Sequence, residues 1–157
     1  MQIPSDYKEL LRGLNAHKVR YLIVGAYAVI HYTEPRYTKD IDIWVEPDME
    51  NAKKLYEALK EFGAPLKGVS VEDFMNKNLV YQMGVVPVRV DIIMAVGDLE
   101  FKQAWNNRKT IALNGEKANL IGVEELIKSK KKAKRKIDLI DVENLQLKLR
   151  LQKGRSK

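Results

Sequence analysis

Residues 36–45 read Arg-Tyr-Thr-Lys-Asp-Ile-Asp-Ile-Trp-Val, and this stretch decides the fold. From Asp40 onward polar and apolar residues alternate, which is typical of a β-strand with one buried face. Asp40 and Asp42 therefore share one face, while Ile41, Ile43 and Val45 point into the core. Because two like charges on one strand face repel each other, the acidic pair predicts a Mg²⁺ site. A polar strand face at the end of a sheet is the simpler alternative for an isolated Asp-x-Asp.

A second strand pattern with an acidic residue follows at Val88-Arg89-Val90-Asp91-Ile92-Ile93. Its period of two places Arg89 and Asp91 on the same face. A charged residue within an apolar strand is costly unless it is paired or bound to metal. An ion pair between Arg89 and Asp91 is one solution. The other is a metal site shared with Asp40 and Asp42, in which three acids on two strands hold two ions about 3.5–4 Å apart.

A turn of small residues precedes the acidic pair. Tyr21-Leu22-Ile23-Val24 predicts a short strand, and Gly25-Ala26 follows it at the expected start of a helix that ends near Thr33. Glycine lets the backbone approach a ligand closely, and the free N–H groups of a helix N-terminus bind phosphate. By itself, any tight turn between a strand and a helix has this appearance.

The rest of the chain predicts a single mixed α/β (α+β) domain over residues 1–157, with a small mixed central β-sheet flanked by helices. Its core covers about residues 20–122, and a basic helical part covers about 123–157. The predicted elements beyond those above are helices from Ser5, over 48–63, 71–77 and 101–107, from Val123 and from near Ile137, and strands at 79–83, 85–94, 110–113 and 117–121. Taken alone, the alternating leucines at 145–151 would suggest a strand, but their context favours a helix.

Composition excludes several classes of protein. The 157 residues include no cysteine, which excludes disulfides, thiolate zinc sites and cysteine nucleophiles. No apolar stretch approaches the roughly 20 residues of a membrane span, so no membrane partner is expected. The N-terminal Met1-Gln2-Ile3-Pro4 lacks a signal-peptide pattern, which predicts a cytoplasmic protein.

The positive charge is concentrated near the C-terminus. Residues 128–157 hold 12 of the 28 basic and 3 of the 21 acidic residues, a net charge of +9, against −2 for residues 1–127. Seven of the nine residues at 128–136 are Lys or Arg. A solvated helix face explains such a run as well as a polyanionic partner does. In a continuous helix, Lys130 and Lys134 would share a face with Leu126 and Asp138.

The combined pattern resembles the nucleotidyltransferase superfamily that includes DNA polymerase beta. Its signature is hydrophobic-Gly-Ser or hydrophobic-Gly-Gly, a spacer, Asp-x-Asp and a third Asp; Gly25-Ala26, a spacer of 13 residues, Asp40-x-Asp42 and Asp91 follow this order. The chain is most similar to the lincosamide-resistance and AbiEii-like toxin groups, which typically read Arg-x-Thr-x-Asp-Ile-Asp, as residues 36–42 do. Their downstream pattern falls on Leu126, Lys130, Arg135, Asp138 and Asp141.

The resemblance implies a role for each matching residue. Asp40, Asp42 and Asp91 would be catalytic and would bind two Mg²⁺ (or Mn²⁺) ions. The NTP would meet the remaining matching positions: Gly25 and Ala26 at the phosphate turn, Arg36 and Thr38 at the mouth of the site, Lys130 at the triphosphate, and Asp138 orienting Lys130 or the substrate. Ala26 stands where the family often has Ser, so a hydroxyl contact to phosphate is missing.

The implied activity is transfer of NMP from an NTP to a hydroxyl acceptor with release of pyrophosphate. The acceptor could be an RNA 3′ end, a small hydroxylated molecule or a protein, and a partner protein or a homodimer could complete the site. The alternative is a catalytically silent nucleotide- or RNA-binding module with the same fold. Trp44 is expected in the core rather than as a base-stacking platform, although period two places it beside Asp42.

Overall fold

The computed structural model describes residues 3–34, 38, 40–85 and 88–155. Within these residues, the strands form one six-stranded sheet, and helices cover both of its faces. The strands are β1 Tyr21–Val24, β2 Asp40–Val45, β3 Val80–Met83, β4 Arg89–Ile93, β5 Lys109–Leu113 and β6 Glu116–Leu120. The helices are α1 Ser5–Ala16, α2 Gly25–Tyr32, α3 Met49–Phe62, α4 Phe101–Asn106, α5 Val123–Ala133 and α6 Lys136–Arg155, with a short 3₁₀ helix at Val71–Met75.

The sheet is mixed, as expected, with the strand order β3-β4-β2-β1-β6-β5. The central strand β2 runs parallel to β4 and antiparallel to β1. In this register Asp42 lies opposite Asp91 on one side and opposite Val24 on the other. The three sequence segments singled out above therefore meet in the middle of the sheet.

Each face of the sheet has its own core. Ile41, Ile43 and Val45 are fully buried on the face that packs against α1 and α3, as the alternation predicts. The opposite face carries Trp44, which is 1% exposed and packs edge-on against Phe101 of α4 with 5.1 Å between ring centroids. Trp44 is thus a core residue and leaves no ring face for a base to stack on.

The bounds of one expected strand are wrong. The strand predicted at 85–94 is shorter, since β4 begins at Arg89; residues 86 and 87 of that prediction lie outside the described residues. The two helices predicted from Val123 and from near Ile137 are present as α5 and α6, so the basic run is not one continuous helix. Lys134 ends α5 with φ at +59°, and α6 begins at Lys136. Lys130 and Lys134 therefore do not share a helix face with Asp138, which belongs to the next helix. The leucines at 145–151 are helical, as preferred.

Candidate active site

Three carboxylates converge on the α2, α5 and α6 side of the sheet. Asp40 and Asp42 leave β2 on one face, and Asp91 leaves the adjacent strand β4 on the same face. One oxygen from each carboxylate lies within 4.8 Å of the other two. We call Asp40, Asp42 and Asp91 the acidic cluster. Its oxygen-only donor set is the kind that Mg²⁺ and Mn²⁺ prefer.

The electrostatics of the acidic cluster favour a cation. Burial, together with the negative charges of Asp40 and Asp91, raises the pKa of Asp42 from its usual 3.8 to about 7. Burial also raises the pKa of Asp91. Oδ1 of Asp91 is buried and has no hydrogen-bond partner among the described residues. A buried acceptor of this kind is costly to leave unsatisfied, so the residues present fit a bound metal ion.

Arg89 partly neutralises the acidic cluster. Its Nη2 donates to Oδ2 of Asp40 at 2.6 Å and to Oδ2 of Asp91 at 3.2 Å. The ion pair between Arg89 and Asp91 that the sequence left as an alternative is therefore present, and it coexists with the convergence of the three acids. One positive charge faces three carboxylates, which leaves a net negative charge at the site.

Tyr7 of α1 anchors β4, the strand that carries Arg89 and Asp91. Its hydroxyl donates to the backbone carbonyl of Arg89 at 2.8 Å, and its ring packs edge-on against Tyr27. Burial and the nearby negative charges, among them that of Asp40, raise its pKa well above the usual value. The phenol therefore stays protonated and fixes the start of β4 to α1.

Gly25 touches the acidic cluster directly. Its φ is +67°, a backbone angle that residues other than glycine rarely adopt. A Cβ at this position would also overlap Oδ2 of Asp42. The sequence predicted a close approach of a ligand at Gly25. In the structure the close neighbour is the carboxylate itself. Ala26 follows as the second residue of α2 and is partly exposed.

A network of buried ion pairs forms the opposite wall. Nζ of Lys130 lies 3.2 Å from Asp138 and 3.3 Å from Asp141, and all three side chains are buried. Arg135 also donates to Asp138, at 2.7 Å from its Nε. Burial alone would raise the pKa of Asp138, but the hydrogen bonds and charges of Arg135 and Lys130 hold it below its usual value.

A cavity of about 320 Å³ separates the acidic cluster from this network, and we call its side with Lys130, Lys132, Arg135 and Asp138 the basic wall. It is open to solvent between β1, the segment after β4, and the turn between α5 and α6. Its lining includes Gly25, Asp42, Gly97, Lys130, Lys132, Arg135 and Asp138. The wall opposite Asp42 carries three cations, Lys130, Lys132 and Arg135, two of which are paired with Asp138. A metal-bound polyphosphate requires carboxylates for the metal and cations for its oxygens, and the cavity has both.

The structure brings most of the predicted site residues together. Gly25, Asp42, Lys130 and Asp138 line the cavity, and Asp40 and Asp91 adjoin it through the acidic cluster. Thr38 donates from its hydroxyl to the carbonyl of Asp40 at 3.2 Å, next to the cluster. Arg36 lies outside the described residues.

Two contributors were not named as site residues from the sequence. Lys132 and Arg135 line the cavity, and Arg135 fixes Asp138 as well. Arg135 belongs to the motif that carried the family resemblance, so that signal was available. Lys132 had no signal beyond its place in a basic run.

Three solved structures of similar fold are an adenylyltransferase, a putative nucleotidyltransferase and a nucleotidyltransferase-like protein. The lincosamide antibiotic adenylyltransferase LnuA, bound to lincomycin, superposes with a TM-score of 0.57 at 15% identity, over 92% of this chain and 97% of that chain. A putative nucleotidyltransferase of Thermotoga maritima gives a TM-score of 0.61 at 16% identity, over 96% of each chain. An antigenic nucleotidyltransferase-like protein of Paracoccidioides brasiliensis gives 0.56 at 20% identity, over 92% of this chain and 78% of that chain.

The fold is therefore that of the polymerase beta-like nucleotidyltransferases. A family model described as "Nucleotidyl transferase of unknown function (DUF2204)" matches residues 4–156, and the chain belongs to this family. A search of curated proteins by sequence finds no match. Among the described residues, no helix combines the length and the apolar character that crossing a bilayer requires. The resemblance to the superfamily is confirmed, whereas membership of a toxin-like group stays a prediction.

Proposed function

We propose that the protein uses divalent metal ions to transfer NMP from an NTP to a hydroxyl group of an acceptor, with release of pyrophosphate. The observation that carries this proposal is the convergence of Asp40, Asp42 and Asp91 within 4.8 Å of one another. The basic wall across the cavity supports it, since a triphosphate needs both a metal site and cations that bind its oxygens.

Asp40, Asp42 and Asp91 are the residues that would hold the two Mg²⁺ or Mn²⁺ ions. When bound, the ions offset the charge of the triphosphate and lower the pKa of the acceptor hydroxyl. Arg89 already offsets part of the negative charge of Asp40 and Asp91, which keeps the carboxylates in place before metal binds.

The reaction forms one bond and breaks another at the α-phosphorus. The acceptor oxygen attacks this phosphorus, the bond to the bridging oxygen of the β-phosphate breaks, and pyrophosphate leaves with that oxygen. The hydroxyl proton passes to a carboxylate of the acidic cluster. Asp91 suits this role, because burial raises its pKa and favours proton uptake.

Several groups are placed to bind the triphosphate. Backbone N–H groups at the start of α2, beside Gly25 and Ala26, suit phosphate oxygens, although Ala26 adds no hydroxyl. Across the cavity, Lys130 and Arg135 combine with Lys132 as cationic partners. Asp138 would keep Lys130 oriented toward the cavity rather than contact phosphate itself.

Two features next to the site each suit one class of acceptor. Exposed cations next to the cavity suit the backbone of an RNA whose 3′ hydroxyl is the acceptor: Lys128, Lys131, Lys132, Lys134, Arg135 and Lys136. A second cavity of about 580 Å³ adjoins the first at Gly97 and has room for a small hydroxylated molecule. LnuA, whose structure holds lincomycin, makes the small acceptor the second arm of the test.

The test is incubation with each α-labelled NTP and Mg²⁺ or Mn²⁺, with total RNA in one arm and a small-molecule extract in the other. We expect label on one acceptor class and none with Asp42→Asn, while Asp6→Asn, an exposed acid on α1, retains activity. Binding of NTP that is metal-dependent but leads to no transfer in either arm would favour the silent binding module. Equal NTP affinity with and without metal would overturn the proposal.

A further inference from the structure

Helix α6 carries apolar side chains on two sides. One side is buried against the body of the protein through Val142 and Leu145. A second side is open to solvent, and helices with two apolar sides are usually covered on both. Its exposed members are Ile137, Ile140, Leu147 and Leu151, with relative exposures of 45%, 48%, 48% and 50%.

The spacing of the exposed residues is that of a coiled-coil seam. The steps from Ile137 to Ile140, Asn144, Leu147 and Leu151 are three, four, three and four residues. This is the alternation of the a and d positions of a heptad, with Asn144, also exposed, at the central a position. We call these five residues the α6 seam.

We propose that the α6 seam is the contact surface of a homodimer in which the α6 helices of two copies pair in parallel about a two-fold axis. The seam is self-complementary, as an isologous interface must be, because each a or d residue meets its own counterpart in the second copy. The occupant of this surface is therefore a second copy of the same chain.

Asn144 favours the parallel arrangement. In a parallel pair the two Asn144 amides face each other and can form hydrogen bonds, which is how a single a-position asparagine selects two strands and one register. In an antiparallel pair the amide would lie against Leu147 of the second copy and lose those bonds, which is costly for a buried polar group.

The charges beside the seam are complementary in the same register. Glu143 occupies a g position and Lys148 the following e position, so each Glu143 meets Lys148 of the second copy on both sides of the axis. In the single chain, Lys148 makes an ion pair of 3.8 Å with Glu34, whose side chain is 83% exposed. Such a pair is weak, so Lys148 can exchange it for Glu143.

The size of the seam sets the expected affinity. From Ile137 to Leu151 it is about 21 Å long, and its exposed apolar surface is on the order of 400 Å² per copy. A standard stable interface buries about 800 Å² per partner, so the flanking polar residues must supply the remainder. We therefore expect a reversible dimer that forms in the micromolar range.

Pairing would place the two candidate active sites at one end of the assembly. Ile137, the first seam residue, adjoins Asp138 of the basic wall. In a parallel dimer the two turns between α5 and α6, with Lys134, Arg135 and Lys136 in each, would lie on the same side of the helix pair. The dimer does not depend on catalytic activity, and its test does not use activity.

The first test measures mass by light scattering or sedimentation as a function of concentration. We expect wild type to pass from monomer to dimer over the micromolar range and Leu147→Glu to raise the dissociation constant about tenfold or more. Leu139→Glu is the matched control, because Leu139 lies on the same helix at 51% exposure but off the seam. Circular dichroism melts verify that both variants fold. A chain that stays monomeric at high concentration, or equal effects of the two substitutions, would overturn the proposal.

The second test uses the absence of cysteine from the chain. Asn144→Cys should form a disulfide-linked dimer on mild oxidation, since equivalent a positions meet across the axis, whereas Gln146→Cys, off the seam, should not. Cross-linking of Gln146→Cys but not of Asn144→Cys, or of neither, would rule out the parallel seam.

Discussion

Nη2 of Arg89 donates a hydrogen bond of 2.6 Å to Oδ2 of Asp40, from one strand of the sheet to its parallel neighbour. The same nitrogen reaches Asp91, so one guanidinium joins two of the three carboxylates of the acidic cluster. The positive charge of Arg89 therefore cancels part of the negative electrostatic potential that would attract a metal ion. Arg89 and the metal act on the same oxygens, and their charges oppose each other.

This relationship predicts that Arg89→Gln binds metal more tightly. Removal of a cation next to two ligands strengthens the attraction for a divalent ion, by about tenfold in affinity at most when solvent screening is considered. Mn²⁺ titration followed by electron paramagnetic resonance measures the change without NTP. Arg12→Gln is the control, because Arg12 pairs with Glu116 in a different ion pair. Weaker Mn²⁺ binding by Arg89→Gln would show that Arg89 chiefly positions the carboxylates.

Gly25→Ala should damage both stability and metal binding. The left-handed backbone costs about 1–2 kcal/mol for a residue with a Cβ, and that Cβ would displace the carboxylate of Asp42. We expect a lower melting temperature and loss of the stabilisation that Mg²⁺ gives to wild type. Gly68→Ala has the same backbone strain with nothing near its Cβ, so it should keep the Mg²⁺ effect. Equal Mg²⁺ stabilisation of both variants would contradict the contact.

Asp42→Asn should stabilise the metal-free protein at alkaline pH. The pKa of Asp42 is raised to about 7 in the folded chain, so Asp42 takes up a proton on folding between about pH 4 and pH 7, and its contribution to the stability of wild type falls as the pH rises through that range. Asparagine does not titrate, and the variant should gain on the order of 2 kcal/mol over wild type at pH 8 but little at pH 4.

Denaturation in EDTA at both pH values measures this difference, and Asp6→Asn serves as the control for loss of an exposed charge. Added Mg²⁺ should reverse the order at pH 8, because wild type can bind the ion. A variant that is no more stable than wild type at pH 8 without metal would show that burial and the neighbouring carboxylates do not raise the pKa of Asp42.

The alternation of residues 40–45 was enough to predict the shared face of Asp40 and Asp42 and the buried isoleucines. Strand register was not predictable in the same way, since the pairing of Asp42 with Asp91 depends on how β2 and β4 align in space. The order of motifs in the family, rather than periodicity, predicted that Asp91 lies beside Asp40 and Asp42.

Two helices were predicted here, from Val123 and from near Ile137, but the residue at which the first one ends had no sequence signal. Lys134 adopts a left-handed backbone at a position without Gly, Asn or Pro, so the end of α5 at this residue was not predictable. Lys130 nevertheless meets Asp138, because the two helices pack against each other across that turn. A face shared by Lys130 and Asp138 would have required one continuous helix, whereas the contact forms between two helices.

Asp138→Asn should destabilise the protein strongly, because Asp138 is fully buried and is the carboxylate shared by Lys130 and Arg135. Removal of one member of a buried ion pair typically costs about 3–5 kcal/mol, and we expect the lower end of this range because Asp141 still pairs with Lys130. Asp98→Asn is the matched control: Asp98 also pairs with a lysine of α5, Lys132, at the same 3.2 Å, but its side chain is 77% exposed. The exposed pair should contribute little to stability, because solvent screens both charges. Urea denaturation of both variants compares the two pairs directly, and similar losses would mean that Asp141 alone is enough to hold Lys130 at the cavity wall.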